Sequence, residues 1–295
     1  MIKGLPTFIR KDEYTGPYFL TKQRKRPFYY NFFFNRISTR LPLYHSLYAR
    51  GSREHFYHFL IGYLLPLVHA QSKYRFDRFL ALDCGPLMTP ILHETLTRLG
   101  YNYDLVLPDK IETPVYVDVW DHGWRKEGGV RNSVKAAQTL VERAWADYVC
   151  ARQPCPRSEN LLIQRSSPHE YYLDGRSEGR GYGTSRRGIT NLLEVSSYLS
   201  FNGVQNVIYE PGVHCLGCQI EAFRAAKRLL GFRGAEWANL VWSNPDVRVR
   251  ILDSDPPAWL IGRFMDGLDI NHEFSIVSSR HSPEDPQEAM RFFSS

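Results

Sequence analysis

No stretch of this 295-residue chain is long and apolar enough to cross a bilayer. The most apolar run, Phe56 to Val68, contains His58, Gly62 and Pro66, and falls short of the roughly 20 residues that a span requires. The opening Met1-Ile2-Lys3-Gly4-Leu5-Pro6 lacks the unbroken apolar core of a secretory signal. Cysteine is scarce. Its five residues form no dense pattern, which argues for a reducing compartment over a disulfide framework. No internal repeat is present, and 18 prolines with 21 glycines exclude collagen-like and low-complexity chains. These absences predict a soluble, cytoplasmic protein without a transmembrane segment.

What is present can build a core. A hydrophobic share of 43% and an aromatic share of 14% exclude a disordered chain. A net charge of +6 favours anionic partners without choosing among them. The basic run Lys22-Gln23-Arg24-Lys25-Arg26 lies beside Phe28-Tyr29-Tyr30. No nucleic-acid-binding module accompanies it, so nucleic acid is not an expected partner.

Periodicity predicts a helix from Ser52, as N-cap, to about Tyr74, kinked at Pro66. Strands are expected at Phe79–Leu82, Leu105–Leu107 and Pro114–Val119, with helices at Leu87–Leu99 and Ser133–Tyr148. Pro154-Cys155-Pro156 then breaks the chain. Beyond it come strands at Leu161–Ile163, Asn206–Tyr209 and Val247–Leu252, and helices at Gly188–Leu199 and Cys218–Leu230, the last stopped by Gly231. Two successive β/α alternations imply an α/β fold of two doubly wound domains, 1–152 and 153–295, facing a cleft. The last helix is free to return to the first domain.

The strongest local signal is Gly231-Phe232-Arg233-Gly234-Ala235, running on to Asn239 and Trp242. Small residues at 234 and 235 would let a ligand approach the backbone where a helix begins, and free N–H groups there suit a diphosphate. Glycines serving only tight turns would give the same spacing. The loop from Asp174 to Arg187 holds four glycines and the arginines 176, 180, 186 and 187. It reads either as a cationic lid or as a surface insertion.

Three blocks occur in the order found in family 61 glycosyltransferases, the class of the plant arabinoxylan xylosyltransferases and the extracellular O-GlcNAc transferase. The first is His55-Phe56-Tyr57-His58 leading into Leu64-Leu65-Pro66-Leu67. The second is Leu161-Leu162-Ile163-Gln164-Arg165 followed by Arg186-Arg187-Gly188-Ile189-Thr190-Asn191. The third is Gln219–Ala226 followed by Gly231-Phe232-Arg233-Gly234-Ala235-Glu236-Trp237-Ala238-Asn239. The chain resembles that family over roughly residues 50–255. It departs from it at Arg233, where the family has His, and at Glu236, where it has Gly.

The resemblance implies a two-domain GT-B fold and an inverting, metal-independent transfer from a UDP-sugar, xylose or N-acetylglucosamine, to a glycan hydroxyl. It also implies that Asn191, Gly234, Ala235 and Asn239 lie at the donor. On the first helix a 100° step aligns His55, His58, Gly62 and His69 away from the apolar face, which makes His58, with His55, the expected base. Arg165, Arg187 and Arg233 are the expected counter-charges for the diphosphate. Glu210, directly after a strand, could meet a ribose hydroxyl.

Other readings remain. Asp253-Ser254-Asp255 resembles a metal-binding pair and would suit a metal-dependent transferase. Cys215 and Cys218 with Cys150 and Cys155 could hold zinc, although their spacing is loose. Asp121-His122-Gly123-Trp124 could line an acceptor side. A catalytically inactive relative that binds nucleotide or glycan would keep the same blocks.

Overall fold

The computed structural model describes residues 19–20, 41–45, 51–107, 115–118, 129–148, 155–173, 187–254 and 264–295. The chain enters through β1 (Phe19–Leu20), β2 (Pro42–His45) and β3 (Gly51–Ser52). Helix α1 (Phe56–Phe59), a wide π turn (Leu60–Leu64) and helix α2 (Leu65–Tyr74) follow without a break. Next come β4 (Phe79–Leu82), α3 (Gly85–Arg98), β5 (Tyr103–Val106), β6 (Val115–Asp118) and α4 (Gly129–Trp145). Strands β2, β4, β5 and β6 form a parallel sheet in the order β5-β4-β2-β6.

Periodicity located three of those four strands and missed β2. Leu43 and Tyr44 are fully buried, and Tyr44 hydrogen-bonds Gln71. A four-residue strand buried on both faces shows no alternation, and Pro42 is tolerated because it stands first in the strand.

The long helix also differs from expectation. Its N-cap is His55, while Ser52 Oγ accepts from the Glu54 N–H in the preceding turn. Pro66 has no N–H, and its ring would meet the Gly62 carbonyl in a regular helix; the π turn just before it shifts the ladder and relieves that conflict. From Phe59 to Gln71 every residue is buried. The expected open stripe therefore ends early: Gly62 and His69 are inside the protein, and only His55 and His58 reach its margin.

The second half contains β7 (Asn160–Ile163), α5 (Glu170–Leu173), β8 (Gly188–Ile189), α6 (Leu192–Phe201), β9 (Val207–Tyr209) and a 3-10 turn (Pro211–Val213). It continues through α7 (Leu216–Ala225), β10 (Arg228–Phe232), a 3-10 helix (Ala235–Trp242) and β11 (Arg248–Asp253). It closes with β12 (Asn271–Ile276), β13 (His281–Ser282) and α8 (Pro286–Ser294). Five parallel strands form one sheet in the order β12-β11-β10-β7-β9.

The helix expected over 218–230 is two elements. Leu229-Leu230-Gly231-Phe232 is an apolar run buried on both sides, which suits a parallel strand as well as a helix. The backbone N–H groups of Lys227 and Arg228 both donate to the Glu159 carbonyl and start β10 beside β7.

Alternation along the strands divides the second sheet between two cores. Leu162, Leu230, Phe232 and Leu252 face α6 and α8, packing on Val195, Leu199, Ala289, Phe292 and Phe293. The last helix thus stays with the second sheet. Leu161, Ile163, Leu229, Val249 and Ile251 face the other way, into a core continuous with Leu43, Leu64, Phe79 and Leu96 of the first half. Helix α4 joins this shared core through Val134, Ala137, Val141 and Trp145. Among the described residues the fold is α/β, with a four-stranded and a five-stranded parallel sheet and two two-stranded pairs, β13-β8 parallel and β1-β3 antiparallel, and is compatible with Rossmann-like winding.

Gly231 sets the spacing between β10 and its neighbours. A Cβ there would stand 2.8 Å from Ile163 Cβ, 3.0 Å from the Ile163 carbonyl oxygen and 3.2 Å from the Trp237 ring. Gly231→Ala should lower the unfolding free energy by about 1–3 kcal/mol, the usual cost of overpacking a closed core. Urea unfolding of both proteins measures it, and an unchanged midpoint would show that the strands can separate freely.

Candidate functional site

The chain leaves β7 for β9 on one side and returns to β10 on the other. Where strand order reverses in this way, the loops after the two strands diverge and open a crevice at their carboxyl ends. Gln164, Arg165 and Ser166 follow β7 there; Arg233 and Gly234 follow β10. The period of two that buries Leu161 and Ile163 directs Arg165 to the same face, and the same count directs Arg233 and Asp253.

Contacts between these side chains agree with that count. Arg165 is buried; its Nε lies 3.3 Å from Glu236 Oε1, and its Nη1 donates to the Arg233 carbonyl at 3.2 Å. Arg233 Nη1 lies 3.0 Å from Asp253 Oδ2, and Asp253 is fully enclosed. Gly234 is extended. A Cβ on it would fall 2.9 Å from the Arg165 guanidinium and 1.9 Å from Glu236 Oε2. Gly234 is therefore needed for close approach, as expected, but what approaches is Arg165.

Helix α1 packs against the 3-10 helix that starts at Ala235. This brings the half-buried His55 and His58 to the same end of the second sheet, with ring centroids 6.2 Å apart. Burial pushes the His58 imidazole down to about 4, so it is neutral near pH 7 and able to accept a proton. Tyr57 meets Phe264 edge-on at 5.8 Å, and His55 meets Tyr172 at 6.4 Å.

Several expected donor contacts have other roles. Asn239 is fully buried: its Nδ2 donates to Gln219 Oε1 at 2.8 Å and its Oδ1 accepts from Trp242 Nε1 at 3.2 Å. Gln219 in turn donates to the His214 carbonyl. This relay fastens the 3-10 helix to α7 through Asn239. Asn191 spans α6 and the C-terminal segment, accepting from the Glu284 N–H at 2.9 Å and donating to the Glu284 carbonyl at 3.0 Å. Arg187 is buried just before β8. A helix begins at Ala235, as expected, and it is a 3-10 helix. Glu210 stands at the carboxyl end of β9, as the sequence suggested, beside the turn that leads to His214.

Sequence reasoning missed Glu54, Tyr171 and Tyr172. Glu54 is buried, and burial raises its carboxyl above the usual range. Tyr171 Oη donates to Glu54 Oε2 at 2.6 Å and Tyr172 Oη to the Glu54 carbonyl at 2.7 Å. This contact joins the two halves directly before His55. Nothing in a local pattern links residues 117 positions apart. The edge also carries three buried atoms without a hydrogen-bond partner among the described residues: Ser166 Oγ, His214 Nδ1 and Glu236 Oε2. Such atoms are few in folded proteins, and where they gather, a water or polar ligand is the usual partner. A cavity of about 470 Å³ lies elsewhere, at the amino ends of β4 and β5, lined by Gln71, Phe76 and Tyr101 among others.

Two cysteine expectations are corrected. Cys155 is disulfide-bonded to Cys218, so neither the reduced framework nor a zinc site using both residues applies. The odd count concealed this pair because parity says nothing about which two side chains meet. Among the described residues no group of three or more His, Cys, Asp or Glu could hold a metal, and Asp253 is paired with Arg233. Asp255, Cys150, Asp121–Trp124, the loop 174–186 and the basic run 22–26 lie outside the described residues. Comparison with protein-family models and with curated proteins finds no match.

The neutral state of His58 has a measurable consequence. Its folded value lies below the unfolded one, about 6.5, so on acidification the unfolded chain takes up the proton first. Its contribution to stability is present above pH 6.5 and is lost progressively toward about 4. His58→Gln should flatten the fall in unfolding free energy across that window in denaturant titrations at stepped pH. Equal slopes in both proteins would mean that the ring is solvated.

Proposed function

We propose that this protein is an inverting glycosyltransferase that moves a sugar from a UDP-sugar to a glycan hydroxyl. The observation that carries the reading is the meeting of helix α1, with His55 and His58, and the 3-10 helix that follows Arg233 and Gly234 at the crevice of the second sheet. The four-stranded and five-stranded parallel sheets are compatible with a GT-B division into 1–152 and 153–295, and the resemblance to family 61 supports the donor class, with xylose or N-acetylglucosamine as the sugar.

In this reading the diphosphate lies against Arg165 and Arg233. Each guanidinium is already held by a carboxylate, Glu236 or Asp253, so its position is set before the donor arrives. Preorganised charge of this kind stabilises the leaving diphosphate without rearrangement. His58 accepts the proton of the acceptor hydroxyl as that oxygen forms its bond to C1 and the bond from C1 to UDP breaks on the opposite face. Burial leaves His58 a weaker base than an ordinary imidazole, so it takes that proton only late, as the oxygen commits to the new bond. Glu210 is the group nearest in sequence to a ribose site. Asp253, engaged with Arg233, weighs against the metal-dependent alternative. The Cys155–Cys218 disulfide favours an oxidising compartment over the cytoplasm expected from the sequence.

A panel of UDP-sugars assayed for UDP release, with and without EDTA, tests the reading. His58→Ala should lower turnover about 10²–10⁴-fold with UDP affinity unchanged. Binding of UDP without release from any donor would identify an inactive relative instead, and loss of activity in EDTA would restore the metal-dependent one.

Charge-assisted hydrogen bonds contribute about 1.5–3 kcal/mol, so Arg165→Ala should weaken UDP binding roughly ten- to a hundred-fold while uridine binds both proteins alike. Calorimetry separates the two ligands. Arg233 is better tested as Arg233→Lys, which keeps a cation beside Asp253. Unchanged UDP affinity in both variants would remove the diphosphate from this crevice.

A further inference from the structure

Helix α7 opens with Cys215-Leu216-Gly217-Cys218. Cys215 is its N-cap, half-buried and carrying a thiol, and its Sγ accepts from the Cys218 N–H at 3.4 Å. Cys218 is bonded to Cys155, with Cα atoms 4.9 Å apart. Three sulfurs therefore share one turn of helix. With a rise of about 1.5 Å per residue and a Cα radius of about 2.3 Å, Cα atoms three apart on a helix lie about 5 Å from each other, inside the Cα separation of about 4.4–6.8 Å that a disulfide needs. Cys218 thus has two partners within bonding reach.

We propose that Cys155, Cys215 and Cys218 form a thiol–disulfide exchange triad in which Cys215 displaces Cys155 from its bond to Cys218. The Cys215 thiol gives its proton to solvent, and its sulfur attacks Cys218 Sγ. A Cys215–Cys218 bond forms as the Cys155–Cys218 bond breaks, and Cys155 leaves as a thiolate that takes up a proton. One disulfide replaces another, so no oxidant or reductant takes part.

The two states differ in what they fasten. Residues 155–159 run along α7 from its first turn to its end: Cys155 meets Cys218, Arg157 pairs with Glu221 at 3.1 Å, and Glu159 pairs with Lys227 at 2.6 Å. Both ion pairs contribute little, and the hydrogen bonds from Lys227 and Arg228 hold only Glu159 at the far end, so the disulfide is the main fastening at the first turn of α7. Gly217 also presses the start of α7 onto Trp145 at the end of α4. Exchange releases residues 155–158 and cross-links the turn beside His214 and Glu210. The triad is thereby a two-position clasp at the edge of the crevice, and it holds whatever reaction that crevice performs.

The test uses the intact protein and a fortunate cleavage pattern. Trypsin yields residues 153–157, with Cys155 alone, and 188–224, with both Cys215 and Cys218. Protein labelled with N-ethylmaleimide when freshly purified should give 153–157 joined to 188–224, with the label on Cys215. After a day at about pH 8.5, where an ordinary thiol is half ionised, a second species should appear. In it 153–157 carries the label, and 188–224 is unlabelled and lighter than its reduced form by two hydrogens. Persistence of the first species alone would overturn the proposal. Cys215→Ser should abolish the second species, and its survival in that variant would also count against the triad. In Cys155→Ser treated with glutathione disulfide, 188–224 should close its own internal bond; a stable mixed disulfide with glutathione would mean that the two sulfurs cannot meet.

Discussion

Arg165 is the pivot of the second sheet's carboxyl edge. It emerges from the first strand of that sheet, reaches under Gly234 to Glu236 and donates to the Arg233 carbonyl. A cation this enclosed must be paired, and its partners come from the loop after β10. The strand that begins the second half is thus tied to the segment that carries the crevice. Arg233 repeats the arrangement one strand further on, with the enclosed Asp253 as partner. Two ion pairs in succession define an edge whose guanidinium and carboxylate charges balance one another.

The second constraint is the burial of the long helix of the first half. An amphipathic helix would have one side to give to a cleft. Here residues 59–71 are enclosed on all sides, because the shared core wraps the helix between the first sheet and α4. Only its first turn remains at a boundary, and that turn meets the 3-10 helix of the second half. The same enclosure lowers the basicity of His58 and raises that of the Glu54 carboxylate just before it. One act of packing therefore both brings these groups to the contact between the two halves and shifts their basicity.

Polar residues in the quoted motifs illustrate how much a sequence conceals about role. Asn239 and Asn191 occupy motif positions, and both are structural clamps, one between the 3-10 helix and α7 and the other between α6 and the C-terminal segment. An amide that satisfies buried backbone or side-chain groups is as costly to replace as one that binds a ligand. Persistence at a motif position would look the same in both cases. The distinguishing observation is whether the hydrogen-bonding capacity is already filled, and that requires coordinates.

The strands β4, β5, β6, β7, β9 and β11 and the α/β class were legible from the chain, because they follow from local hydrophobic periodicity. Not legible were β8, which opens a stretch read as helix, and β12 and β13, which follow the stretch read as the last strand. The place of Arg165 just after a strand was legible, whereas Arg233 and Gly234, expected to follow a helix, follow β10. Tertiary structure decided the rest. The strand β2 and the division of 218–230 into a helix and a strand depend on burial from both faces, which leaves no alternation to read. The pairing of Cys155 with Cys218, the contact of Tyr171 with Glu54 and the neutrality of His58 depend on which distant segments come to lie together. Those outcomes are set by packing between elements, where the energy belongs to contacts across the chain, and no local window contains them.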